Sequence, residues 1–230
     1  MKNSIIILAL AASISGVFQS CISKTDEKNE LQKPVAKTAE ISTADAGTLT
    51  ITNLQAAFKG ETTASAKYEA YSKKAEEEGL HEIAMLFHAA SMAENIHANN
   101  HKVVLEVAGQ TTPEITPEFT VKSTKENLLD AIEGESYESN TMYPGFMITA
   151  KEAKNELAGV SLNYAYRTEL KHRDMYKGAL AALESDTVKS LPTVYFICPT
   201  CGNTYQTTTP KRCGISMTSS EKFIKLTSLS

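Results

Sequence analysis

Glu94-x-x-His97 and Glu169-x-x-His172 are two copies of one short motif, each preceded about one helix upstream by a further glutamate, Glu61 for the first and Glu135 for the second. The upstream glutamate stands 33 residues ahead in one half (61 to 94) and 34 in the other (135 to 169). The flanks agree as well: Gly60-Glu61-Thr62 matches Gly134-Glu135-Ser136, and Ala90-x-x-x-Glu94 matches Ala165-x-x-x-Glu169. Residues three apart on a helix share a face about one turn from each other, so Glu and His at this spacing can grip one cation. A Glu from each of two helices with a Glu-x-x-His from each of two others is the donor set of dinuclear carboxylate sites in helical bundles. Carboxylate oxygens with one imidazole per metal suit iron or manganese rather than zinc-thiolate or calcium chemistry. The repeat predicts two metal ions.

Such ligands must point inward with the apolar stripe of their own helices. Steps of three and four run through Leu54, Phe58, Glu61, Ser65 and Tyr68, and through Ile83, Phe87, Ala90, Glu94, His97 and His101. They run likewise through Leu128, Ala131, Glu135, Glu138 and Met142, and through Leu162, Ala165, Glu169, His172 and Tyr176. A single E-x-x-H is ordinarily a solvated helix acid beside a structural histidine; two in phase with apolar stripes argue for a site. His81, His88 and His101 lack duplicated partners and read as structural or solvent-facing, although His101 lies one turn beyond His97 on the same face.

The element boundaries follow from capping and breaking residues. Thr52-x-x-Gln55 has the form of a capping box opening a first helix that ends at Gly79. A second helix spans about 80–107 and stops at Gly109, and 110–122, with Pro113 and Pro117, is a long crossover. Ser123-x-x-Glu126 opens a third helix, which Pro144-Gly145 bends or ends, and a fourth runs from about Thr149 to Leu183. The expected architecture is mainly α: a four-helix bundle over residues 49–185, then a small β-rich domain over 191–230. That second domain carries Cys198-x-x-Cys201 and Cys213-x-x-Ser216, and a unit so small ordinarily needs a metal or disulfides to hold together.

With 42% hydrophobic residues and a net charge of −4, the 230-residue chain can bury one good core plus an appendage, and nothing in its charge suggests nucleic acid. Met1-Lys2-Asn3 and the apolar run from Ile5 to Val17 read as a cleaved export signal over 1–20, too short for a confident membrane span. Cys21 follows Ser20 at the end of that run, a loose bacterial lipobox, so Cys21 is a candidate lipidation site. Residues 21–48, rich in Lys, Glu, Thr and Ser, would then tether the domain to a membrane facing the periplasm or cell surface.

The duplicated E-x-x-H bundle followed by a C-x-x-C knuckle resembles rubrerythrin, a ferritin-like di-iron protein with a rubredoxin-like tail, over roughly Leu49 to Leu226. The resemblance implies di-iron ligands at Glu61, Glu94, His97, Glu135, Glu138, Glu169 and His172. Glu138 has Ala64 as its counterpart in the first half. This surplus carboxylate matches the family's asymmetry, in which His97 and Glu138 would alternate on one iron with its oxidation state. Tyr68 and Tyr143 match tyrosines flanking the family's site, where they would hydrogen-bond ligand carboxylates or simply pack.

In the tail the match is incomplete, since rubredoxin-type iron takes four Cys thiolates and Ser216 stands in the fourth place. Iron on three Cys with Ser216 or water, zinc in the same place, or a Cys198–Cys201 disulfide all remain open. The implied activity is a peroxidase that reduces hydrogen peroxide to water, re-reduced through the tail or by an external donor, in a homodimer. Ferritin-like iron oxidation or storage, iron binding without peroxidase turnover, and manganese catalase chemistry would use the same ligands.

Overall fold

The computed structural model describes residues 42–229, so the export signal, Cys21 and almost all of the linker lie outside the described residues. Helix α1 (Thr43–Glu77) packs along α2 (His81–Val107), and α3 (Thr124–Tyr137) leads through a π-helical turn (Glu138–Met142) into α4 (Tyr143–Glu152); α5 (Glu156–Glu184) closes the bundle. Left-handed glycines end the first two helices, Gly79 at φ 76° and Gly109 at φ 69°. The predicted capping box at Ser123 forms, with Ser123 and Glu126 each bonding the other's backbone.

Two boundaries differ from the sequence reading. Helix α1 begins at Thr43 because the Ser42 hydroxyl accepts from Asp45 N at 3.2 Å, and Asp45 places negative charge in the first turn. Residues 43–48 are therefore helix rather than tether, and the Thr52 hydroxyl caps nothing: it bonds the Thr48 carbonyl within α1. Nor does Pro144 end the third helix. Tyr143 N reaches back five residues to the Glu138 carbonyl, and this wide turn delivers Pro144 to the start of α4, where its missing N–H is tolerated. The real break is at Lys154, in left-handed backbone at φ 53°, and Asn155 caps α5 by accepting from Ala158 N.

The tail is a three-stranded antiparallel sheet, β1 (Tyr195–Ile197) between β2 (Thr204–Gln206) and β3 (Ile224–Leu226). It is not an independent appendage. Tyr195, Ile197 and Leu226 share one buried cluster with Ile83, Phe87 and Ala90 of α2, so the sheet completes the bundle's core. None of the described helices is long and apolar enough to cross a membrane.

Candidate metal centre

Six of the seven predicted ligands converge between the helices. Glu61, Glu94, His97 and Glu169 present donor atoms within 4.8 Å of one another, and Glu94, Glu135, Glu169 and His172 do the same. Because Glu94 and Glu169 belong to both groups, they stand where carboxylates bridging two cations belong, while Glu61 with His97 and Glu135 with His172 each serve one side. All six side chains are buried.

The spacing within each group is that of ligands around an ion. His97 Nδ1 lies 2.8 Å from Glu94 Oε2 and 2.9 Å from Glu169 Oε1, and His172 Nδ1 lies 2.9 Å from Glu94 Oε1 and 3.1 Å from Glu169 Oε2. Neighbouring ligands on an octahedral ion with bonds of ~2.1 Å stand about 3 Å apart. Glu61 Oε2 and Glu135 Oε2, one in each group, are moreover buried without a hydrogen-bond partner. An orphaned carboxylate oxygen is costly in a protein interior, and one in each group is what a pair of cations would satisfy. The donor set fits two irons.

The charges record the same crowding. Burial first, then repulsion from neighbouring carboxylates, pushes Glu61 and Glu135 well above the usual carboxylate range. Burial would raise Glu169 too, but His97 and His172 hold it down to about 2. Burial opposes charging of both imidazoles, yet the surrounding glutamates win, raising His97 and lifting His172 to about 9.

Both predicted tyrosines touch ligands. Tyr68 donates to Glu135 Oε1 at 2.8 Å, and Tyr143 donates to Glu61 Oε1, one tyrosine for each half. His101, read from sequence as structural or solvent-facing, is fully buried and continues this second line: its Nε2 lies 3.2 Å from the Tyr143 hydroxyl and its Nδ1 2.8 Å from Ser161 Oγ. Since Tyr143 gives its proton to Glu61, it accepts from His101 Nε2–H, which leaves Nδ1 to accept from Ser161. Burial, then the neighbouring His97, lowers His101 to about 3, so the ring is neutral. Its spacing of four from His97 was the available signal. His81 and His88 instead pair with Glu76 and Glu69 near the surface.

Glu138, the seventh predicted ligand, is not gathered into either group. It is part-buried at the start of the π turn and lines a cavity of about 340 Å³ with Gly60, Ala64, Lys67, Tyr68 and Gly134. Its charge contributes to raising both Glu61 and Glu135, so it sits beside the cluster.

In the tail, Cys198, Cys201 and Cys213 are buried free thiols whose sulfurs converge. Cys201 and Cys213 sulfurs are 3.5 Å apart, and Ser216 Oγ lies 3.3 Å from Cys198 Sγ, at the fourth corner. Tetrahedral ligands with bonds of about 2.3 Å are separated by roughly 3.8 Å, so this cluster could hold one metal with little movement. Asn203 Nδ2 and Ile215 N each donate to Cys213 Sγ at 3.4 Å, favouring its thiolate. Ser216 is the weak corner, because an alcohol gives up its proton far less readily than a thiol. Ser216→Cys is expected to tighten metal binding in the tail at least tenfold, about 1.4 kcal/mol, in chelator competition with zinc or ferrous iron. Equal affinity would show that Ser216 is no part of the site.

The knuckle of the tail lies directly on the bundle's histidines. His97 Nε2 meets the Cys201 carbonyl at 3.1 Å and His172 Nε2 meets Thr204 Oγ1 at 2.9 Å. Asn100 donates to the Thr200 carbonyl and Lys171 to Asn203 Oδ1, so α2 and α5 both grip this segment. Between them Gly202 has φ 74° and leaves no room for a Cβ against the His97 ring.

Residues 52–180 match the family model described as Rubrerythrin. The chain is 32% identical over 176 residues to nigerythrin of Nitratidesulfovibrio vulgaris, covering 76% of this chain and 85% of that protein. It is 30% identical over 178 residues to rubrerythrin-2 of Clostridium acetobutylicum, covering 74% and 92%. Among solved structures, nigerythrin in its fully reduced, all-ferrous state superposes with a TM-score of 0.68 at 31% identity, over 84% of this chain and 90% of that one.

Proposed function

The chain belongs to the rubrerythrin family, whose members are di-iron proteins with peroxide-reductase roles, and from that premise we propose that it reduces hydrogen peroxide to water. The observation that carries this reading is the pair of ligand groups sharing Glu94 and Glu169. Reduction of one peroxide consumes two electrons and two protons and yields two waters. Two irons held by these groups would supply both electrons together.

The protein's own part is geometric and electrostatic. Glu94 and Glu169 set the separation of the two positions, and Tyr68 and Tyr143 hold the outer carboxylates of Glu135 and Glu61 in place by donating to them. Glu138 would take the place of His97 as ligand, the exchange that the family resemblance implies. Electrons would return through the tail site, whose Cys201 carbonyl touches His97, or from an external donor. Export, attachment through a lipid on Cys21 and assembly as a homodimer complete the proposal, the first two resting on the leader sequence.

The test is the reaction of iron-loaded, anaerobically reduced protein with one equivalent of peroxide. The expected result is rapid oxidation with two electrons consumed per peroxide and no oxygen released, and slower oxidation by an equal concentration of dioxygen. Faster reaction with dioxygen would favour an iron oxidase, and oxygen release without reductant would favour catalase chemistry; either overturns this reading.

A further inference from the structure

We infer that Thr204, a residue of the tail, is a positioning residue that fixes the ring and tautomer of His172 in the bundle; the inference rests on the di-iron reading above. Both residues are buried, and His172 Nε2 lies 2.9 Å from Thr204 Oγ1. The same hydroxyl lies 3.1 Å from the Gly202 carbonyl. A carbonyl can only accept, so the single hydroxyl proton goes to Gly202, and toward His172 the threonine oxygen can only accept. The imidazole must then carry its proton on Nε2. In the neutral form that a metal requires, the lone pair is then left on Nδ1, the nitrogen that faces Glu94 and Glu169.

The hold comes from a different part of the fold than the histidine. Thr204 opens β2 and pairs with Ile197 of β1, so the tail's sheet sets its position, whereas His172 is carried by α5. The other histidine receives its counterpart from the Cys201 backbone carbonyl, which no side-chain change removes. Thr204 is thus a side-chain contact through which the tail acts on one half of the metal centre and not on the other. Ligating histidines whose second nitrogen loses its partner bind metal more weakly, typically by ten- to a hundredfold.

The experiment compares the full chain with T204V, which keeps the shape but removes the acceptor, and T204S, which keeps the acceptor. Anaerobic titration with ferrous iron against a competing chelator, followed by the optical spectrum of the oxidised centre, reads each of the two sites. T204V should bind one of its two irons about ten- to a hundredfold more weakly. The other iron should be held as in the parent, and T204S should restore both affinity and spectrum. Parental binding of both irons by T204V overturns the assignment, as does T204S behaving like T204V, which would reveal a packing role. If the parent chain takes up fewer than two irons in the bundle, the di-iron reading itself fails, and this role with it.

Discussion

Glu94→Ala loses both metal ions of the bundle, whereas Glu61→Ala loses one. The difference follows from membership of the two ligand groups: Glu61 belongs to the first alone, while Glu94 offers Oε2 beside His97 and Oε1 beside His172. Removing it takes a donor from each position and leaves both imidazoles without their nearest carboxylate partner. Losing a hydrogen-bond partner behind a ligand typically costs ten- to a hundredfold, so deleting a ligand common to both ions should lower peroxide reduction by more than about a hundredfold. Alanine suits the middle of α2, and the site lies between helices that the apolar clusters hold independently, so the variant should remain helical by circular dichroism. Metal analysis after desalting checks the claim. Two irons retained by Glu94→Ala, or equal losses in the two variants, would remove the bridging role.

The ligands were legible because their spacing is a property of the helix itself: an i, i+3 pair in phase with an apolar stripe announces which way it points before any tertiary structure is known. The Ser123 capping box was legible for the same reason, being complete within four residues. What escaped was set by partners distant in sequence or by competition between local options. Ser42 and Thr52 both offer a hydroxyl at a plausible helix start. Ser42 prevails because Thr43–Ile51 continue the helix, with Ala46 and Thr50 buried. Pro144 looks like a terminator, and only the π turn before it lets the chain pass through in helical form. Thr204 meets His172 across 32 residues and the Cys201 carbonyl meets His97 across 104, contacts with no periodicity to announce them. The tail therefore read as an appendage, although it packs on α2 and covers the outer nitrogens of both ligand histidines.

Stripped of metal, the protein should become less stable as pH rises from about 5 to 9, while the iron- or zinc-loaded protein should not. Glu61, Glu135 and Glu138 are raised well above their ordinary range by burial and then by the charge of neighbouring carboxylates, Glu169 and Glu94 acting on all three. Above ~4.3 the unfolded chain releases protons that these folded carboxyls keep, so each increment of pH favours unfolding. His97 and His172 act in the same direction. Their folded forms hold protons that the unfolded chain loses near pH 6.5, and for His172 the contribution is gone only above about 9. Glu169, held down to about 2 by the two imidazolium rings, has the opposite sign and matters only in acid, where its contribution is lost as pH falls toward that value. The His172 shift alone, from 6.5 to about 9, is worth on the order of 3 kcal/mol, or roughly 6–12 °C in melting temperature for a domain of this size. Metal ions reverse the dependence because they take the place of these protons, so loading must release them and binding must strengthen with pH. Thermal melts with and without chelator between pH 5 and 9, paired with proton release on metal addition at pH 7, measure both halves of the linkage. A melting temperature of the stripped protein that stays level or climbs with pH would mean that the carboxylates and imidazoles do not share the crowded, dry cluster from which the two-metal assignment is argued.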